Sequence, residues 1–100
     1  MFLIDMVFND MALITPALTE QHRAYIGAEY KNETLLFGGP KVPRTGGLIL
    51  SKHESLELLT DFLEADPFVS SGAAAYSITE FKPMMGAPSF EFLLDNNTTG

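Results

Sequence analysis

Apolar positions along this chain change their spacing several times, and each change marks an element. Residues 2–8 (FLIDMVF) are almost wholly apolar, with Phe2, Ile4, Met6 and Phe8 on one side of an extended chain and Leu3 and Val7 flanking Asp5 on the other. That pattern predicts a buried strand. Residues 9–16 carry Asn9, Asp10 and Pro16 and read as a loop. The spacing then lengthens: Leu18, His22, Tyr25, Ile26 and Tyr30 recur at three and four residues, as one face of a helix does. His22 therefore points inward. Two helix starts are open, Thr19 as a cap with Glu20 and Gln21 in the first turn, or Thr15 followed by Pro16.

Residues 34–37 form a second strand, which Gly38, Gly39 and Pro40 are expected to stop because the three cannot all continue a ladder. A loop through Pro43 and Arg44 follows, and Gly46 and Gly47 lead into a third strand at 48–50. Ser55 can cap a second helix with Leu56, Leu59, Phe62 and Leu63 on one face. Asp66 continues that face, and Pro67 ends the helix there because it disfavours helical geometry in the residue before it. Residues 73–81 make a fourth strand. Beyond a turn-rich connector at 83–88, FEFLLD at 90–95 suggests a short extra strand, and 96–100 are expected to fray. The chain thus divides into a domain over 1–85 and an extension over 86–100.

The order β, α, β, β, α, β has one simplest arrangement: an antiparallel four-stranded sheet with both helices on one face, the ferredoxin-like α+β plan with right-handed crossovers. Following the chain up and down places the start of the first helix and the end of the second at the same end of the sheet. His22, Asp66, Phe68, the turn at Gly38, Gly39 and Pro40, and Gly46 with Gly47 meet at that rim, where a small pocket can form. Two helices cover only one face. The apolar other face calls for a partner, and a homodimer packed sheet on sheet is the expectation.

Composition narrows the function classes. Thirteen acidic residues against six basic ones give a net charge of −7, and the bases form no stripe, so nucleic acid is not an expected partner. There is no cysteine, which removes disulfides, thiolate metal sites and a cysteine nucleophile, and suits a cytoplasmic setting. No apolar run approaches the roughly 20 residues that span a bilayer, and the start of the chain lacks a signal pattern, so no membrane association is expected. One inward histidine with scattered acids lacks a metal-ligand spacing, and neither a phosphate-binding loop nor a dinucleotide fingerprint occurs. Ser51 and Ser55 fall at the far end for a triad with His22. His53 belongs to that far end too and reads as a surface residue, while Met84 and Met85 read as packing residues.

Several segments together resemble the YciI-like (YCII-related) family: HRAYI at 22–26, GGP at 38–40, TGGLIL at 45–50, SLELLTDFLEADPF at 55–68 and the closing strand to ITEFKP at 78–83. The DPF tripeptide ending the second helix is the most specific of them. The resemblance implies a dimeric α+β barrel of ferredoxin-like subunits and an active site built on a His and Asp pair, which by position are His22 and Asp66. It also implies kinship in fold with muconolactone isomerase-like proteins and with a dehydrochlorinase-type member. Arg23, Leu58 and the tail from Ala87 depart from the family pattern.

A histidine moves protons near neutral pH, and a carboxylate beside it fixes its tautomer and stabilises the imidazolium. A position near a helix N-terminus opposes this by favouring the neutral imidazole. The reading is a small cofactor-free enzyme of lyase, isomerase or dehydrohalogenase type acting on a small organic molecule, with His22 as the proton-transfer group and Asp66 orienting it. Tyr25, Gly39, Pro40, Arg44, Gly47 and Phe68 are the expected substrate-binding residues, with no metal. Two rivals use the same pocket: a non-catalytic dimeric module that binds a metabolite, and a cofactor-independent oxygenase.

Overall fold

The structure is a computed structural model that describes residues 1–95. Four strands, β1 (Phe2–Phe8), β2 (Leu35–Pro40), β3 (Gly46–Ser51) and β4 (Ala74–Glu80), form one antiparallel sheet in the order β2-β3-β1-β4. Helices α1 (Pro16–Lys31), α2 (Leu56–Glu64) and the single turn α3 (Pro67–Ser70) complete a ferredoxin-like α+β fold. Among the described residues no helix is long and apolar enough to cross a membrane.

Alternation along β1 sets the layers. Phe2, Ile4 and Met6 are buried against the helices, whereas Leu3 and Val7 face outward. Around Phe2 and Ile4 gather Leu35, Ile49, Leu59 and Leu63, with Ile26, Tyr30 and Phe62 packed on them. A second cluster of Met6, Phe68 and Ala74, joined by Phe8, Ile14 and Leu18, lies at the other end of the sheet. On the open face Leu3, Val7, Phe37 and Leu48 remain exposed, and Lys41 pairs with Asp5 at 2.6 Å.

Several expectations need correction. The α1 cap is Thr15, whose side chain accepts the Leu18 N–H at 3.1 Å with Pro16 in the first turn; Thr19 lies inside the helix. Pro16 supplies a pre-set φ where a missing N–H costs nothing, and this decides between the two starts. Strand β2 does not stop at Gly38 but runs to Pro40. It is an edge strand, paired only with β3, so Pro40 removes no ladder bond on an inner side. A register shift between Leu35 and Phe37 turns Phe37 outward opposite Leu50. Gly38 is needed there, because a Cβ would lie 2.6 Å from the Leu48 carbonyl oxygen and 2.7 Å from the Tyr30 hydroxyl. Gly46 is still more constrained by the Met6 carbonyl beside it.

Helix α2 ends at Glu64, two residues before Asp66, and Leu56 is half-exposed instead of joining the buried face. The separate turn α3 was not expected, being too short to show a period. In place of an extra strand, Pro88–Leu93 form a 3-10 helix, closed on itself by the Asp95 N–H donating to the Pro83 carbonyl at 2.8 Å. The expected fraying of 96–100 lies outside the described residues.

Candidate functional site

Asp66 is placed by the proline that follows it. Pro67 forces the preceding residue out of helical geometry, and Asp66 sits at φ −61°, ψ 132°, just beyond the end of α2. From there its carboxylate accepts the Phe68 N–H at 2.8 Å and caps α3. The same carboxylate, fully buried, meets His22 Nδ1 with both oxygens, at 3.0 and 2.9 Å. The turn-organising role of an Asp-Pro pair and a place beside His22 are thus one arrangement.

A carboxylate only accepts hydrogen bonds, so the His22 proton lies on Nδ1. Nε2 is left with its lone pair and no protein partner among the described residues. The imidazole is stacked on Phe68, with ring centroids 4.1 Å apart and planes 19° from parallel, and Phe68 meets Phe8 edge-on at 5.5 Å. Phe68 on one face and the Asp66 carboxylate at Nδ1 hold the imidazole orientation. Because α1 begins at Pro16, His22 lies at the end of the second turn, beyond the reach of the helix N-terminal charge. The opposition expected between dipole and carboxylate is absent. Asp66 is the charge that acts on this ring.

His22 and Phe68 line a cleft of about 220 Å³ between α1 and the ends of β1, β2 and β3. Of the residues expected to bind a substrate, Gly39, Pro40, Arg44, Gly47 and Phe68 all line it. Tyr25 does not. Its hydroxyl donates to the Phe62 carbonyl at 2.7 Å and its ring stacks on Phe62 at 4.9 Å, so it ties α1 to α2. Burial and then the charges of Asp66 and Glu29 raise its pKa.

The cleft also holds residues not anticipated from sequence. Thr19, Arg23, Ile26 and Tyr30 extend the His22 face of α1, and Phe8 comes from the end of β1. For Thr19, Ile26 and Tyr30 the three-and-four spacing from His22 is the available signal, whereas Arg23, directly after His22, falls outside it. Arg44 lies over the Phe8 ring, its guanidinium carbon 5.4 Å from the centroid. Guanidinium, two phenyl rings and imidazole thus form one continuous wall.

His53, expected at the surface, is largely enclosed: its side chain is 8% exposed. It is at the far end, as expected, but Ser51 and the Phe62 ring cover it.

The model of the YCII-related domain matches residues 6–82. No curated protein matches. Among solved structures, the chain is similar to 5-chloro-2-hydroxyhydroquinone dehydrochlorinase (TftG) from Burkholderia phenoliruptrix AC1100, in complex with 2,5-dihydroxybenzoquinone. The TM-score is 0.70 at 24% identity, covering 82% of this chain and 93% of that one. At that identity the likeness speaks for the fold.

Proposed function

The chain belongs to the YCII-related family, and on that premise we propose that it is a cofactor-free enzyme that transfers a proton on a small cyclic organic molecule, with His22 as base and Asp66 orienting it. One observation carries the reading: Nδ1 is held by a buried carboxylate while the ring lines a cleft. Proton uptake at Nε2 produces an imidazolium that Asp66 stabilises without moving.

A cavity of ~150 Å³ admits one benzene ring, so a cleft of about 220 Å³ suits a single substituted six-membered ring. The dehydrochlorinase likeness favours an elimination. On the keto tautomer, whose halogen-bearing ring carbon is tetrahedral, Nε2 takes a hydroxyl proton, the electron pair left behind forms a carbonyl as the ring double bond shifts, and halide departs with the pair of its own bond. The net change is loss of HX, with no oxidant needed.

The test is halide release from a panel of chlorinated hydroxylated rings, chlorinated hydroxyhydroquinones and chlorinated dihydroxybenzoates among them. Wild type is expected to release halide, and His22→Gln to be slower by about 10²–10⁴-fold. Full turnover by His22→Gln would refute the assignment, as would tight binding with no product, which fits a binding module. We further propose that the open face, with Leu3, Val7, Phe37 and Leu48 exposed, packs on a second copy as a homodimer. Sedimentation should give a dimer for wild type and a monomer for Leu48→Asp; a wild-type monomer would contradict it.

A further inference from the structure

We propose that Arg23 and Arg44 form an anion-recognition pair at the cleft, and that the ligand is a small ring bearing a carboxylate. The proposal rests on the reading of the cleft as a substrate site and names the class of substrate.

The chain contains two arginines in all, and both line the cleft that holds His22. They come from unrelated places, Arg23 from the exposed side of α1 and Arg44 from the loop between β2 and β3. Thirteen acidic residues give the chain its charge of −7, yet none lines this cleft. Asp66 lies behind the imidazole, fully buried. A pocket wall with two cations on an otherwise acidic surface concentrates positive potential where a ligand enters.

Neither guanidinium has a carboxylate partner among the described residues. Lys41, three residues before Arg44, shows that such partners are taken nearby, since it pairs with Asp5 on the opposite face of the sheet. Arg44 instead lies on Phe8. Its loop is closed by the Lys41 N–H to the Gly46 carbonyl at 2.9 Å and the Thr45 N–H to the Pro43 carbonyl at 2.8 Å. These bonds hold the Arg44 backbone beside the cleft. A planar guanidinium presents paired donors that match the two oxygens of a carboxylate, which a lysine does not.

The wall from Arg44 through Phe8 and Phe68 to His22 gives a direction to the bound ring. With its carboxylate at the arginines, the ring lies along the phenyl groups, on the wall that ends at the imidazole.

The test is calorimetric binding of 2,5-dihydroxybenzoate against its methyl ester, which keeps the ring and removes the charge. Wild type is expected to bind the acid at least about tenfold more tightly, with a preference that falls as salt is raised. Arg23→Gln and Arg44→Gln should each lower acid affinity about tenfold and leave the ester unchanged, and the double variant should bind both alike. Both residues are exposed, so the variants are expected to fold, which thermal melting checks. Equal binding of acid and ester by wild type, a preference that survives in the double variant, or binding of neither compound would overturn the proposal. The two readings fail separately. Loss of the acid preference with halide release still dependent on His22 removes the anion pair alone; a retained preference with turnover indifferent to His22→Gln removes the proton-transfer reading alone.

Discussion

The two histidines of this chain occupy opposite ends of one sheet, and both are mostly enclosed, with side chains 13% and 8% exposed for His22 and His53. Their hydrogen bonding differs. Ser51 Oγ accepts the His53 backbone N–H at 3.0 Å and lies 2.5 Å from Nδ1. The Glu29 carboxylate, which only accepts, faces Nε2 at 3.7 Å and favours the imidazole proton there, so that Nδ1 accepts from the Ser51 hydroxyl. Both nitrogens face protein groups. At His22 the proton is on Nδ1, held by a carboxylate, and Nε2 is left for whatever enters the cleft. Burial of an imidazole is common to the two ends; what separates them is which nitrogen the protein leaves unused.

The largest effect expected from this contrast is on Asp66. Asp66→Ala removes the α3 cap and both contacts to His22 at once, leaving a buried ring nitrogen and the Phe68 N–H without partners. The loss should be roughly 2–4 kcal/mol in urea unfolding. Ser51→Ala removes a neutral hydroxyl and should cost less, roughly 1–2 kcal/mol. Equal losses would mean that the Asp66 contacts contribute no more than an ordinary neutral hydrogen bond.

A smaller effect concerns pH. Burial lowers the His53 pKa, with Glu29 partly opposing it, and Lys52 and Glu54 are the other charges beside it. A histidine whose folded pKa lies below its unfolded value, about 6.5, binds more protons when unfolded. Its contribution to stability is therefore complete above that value and is lost as pH falls through the folded pKa. Urea midpoints at pH 8 and pH 5 should show this acid-side loss in wild type, and less of it in His53→Gln. An identical pH dependence in both proteins would place the loss elsewhere.

How much of this was legible depended on how many residues shared a signal. Strand β1 and the buried residues Leu59 and Leu63 of α2 follow from repeated spacings, and the topology then brings His22 and Asp66 to one end. Features resting on one or two residues were harder. The period of α1 fits either cap, and only Pro16 distinguishes them. Gly38, Gly39 and Pro40 would break an inner strand, but β2 is an edge, a fact that belongs to the assembled sheet. Tyr25 shares the inward arc of α1 with His22, yet it lies on the flank toward Phe62 and not toward the cleft. Arg23 carries no periodic signal, and its place in the cleft emerges only when α1 is docked on the sheet.

The nitrogen of His22 that faces the cleft is the central feature of the site. Long-range ¹H–¹⁵N NMR of the imidazoles at neutral to mildly alkaline pH reads this directly, without a substrate. The account predicts opposite neutral tautomers, His22 protonated on Nδ1 and His53 on Nε2. A His22 protonated on Nε2, or the same tautomer at both ends, would contradict it.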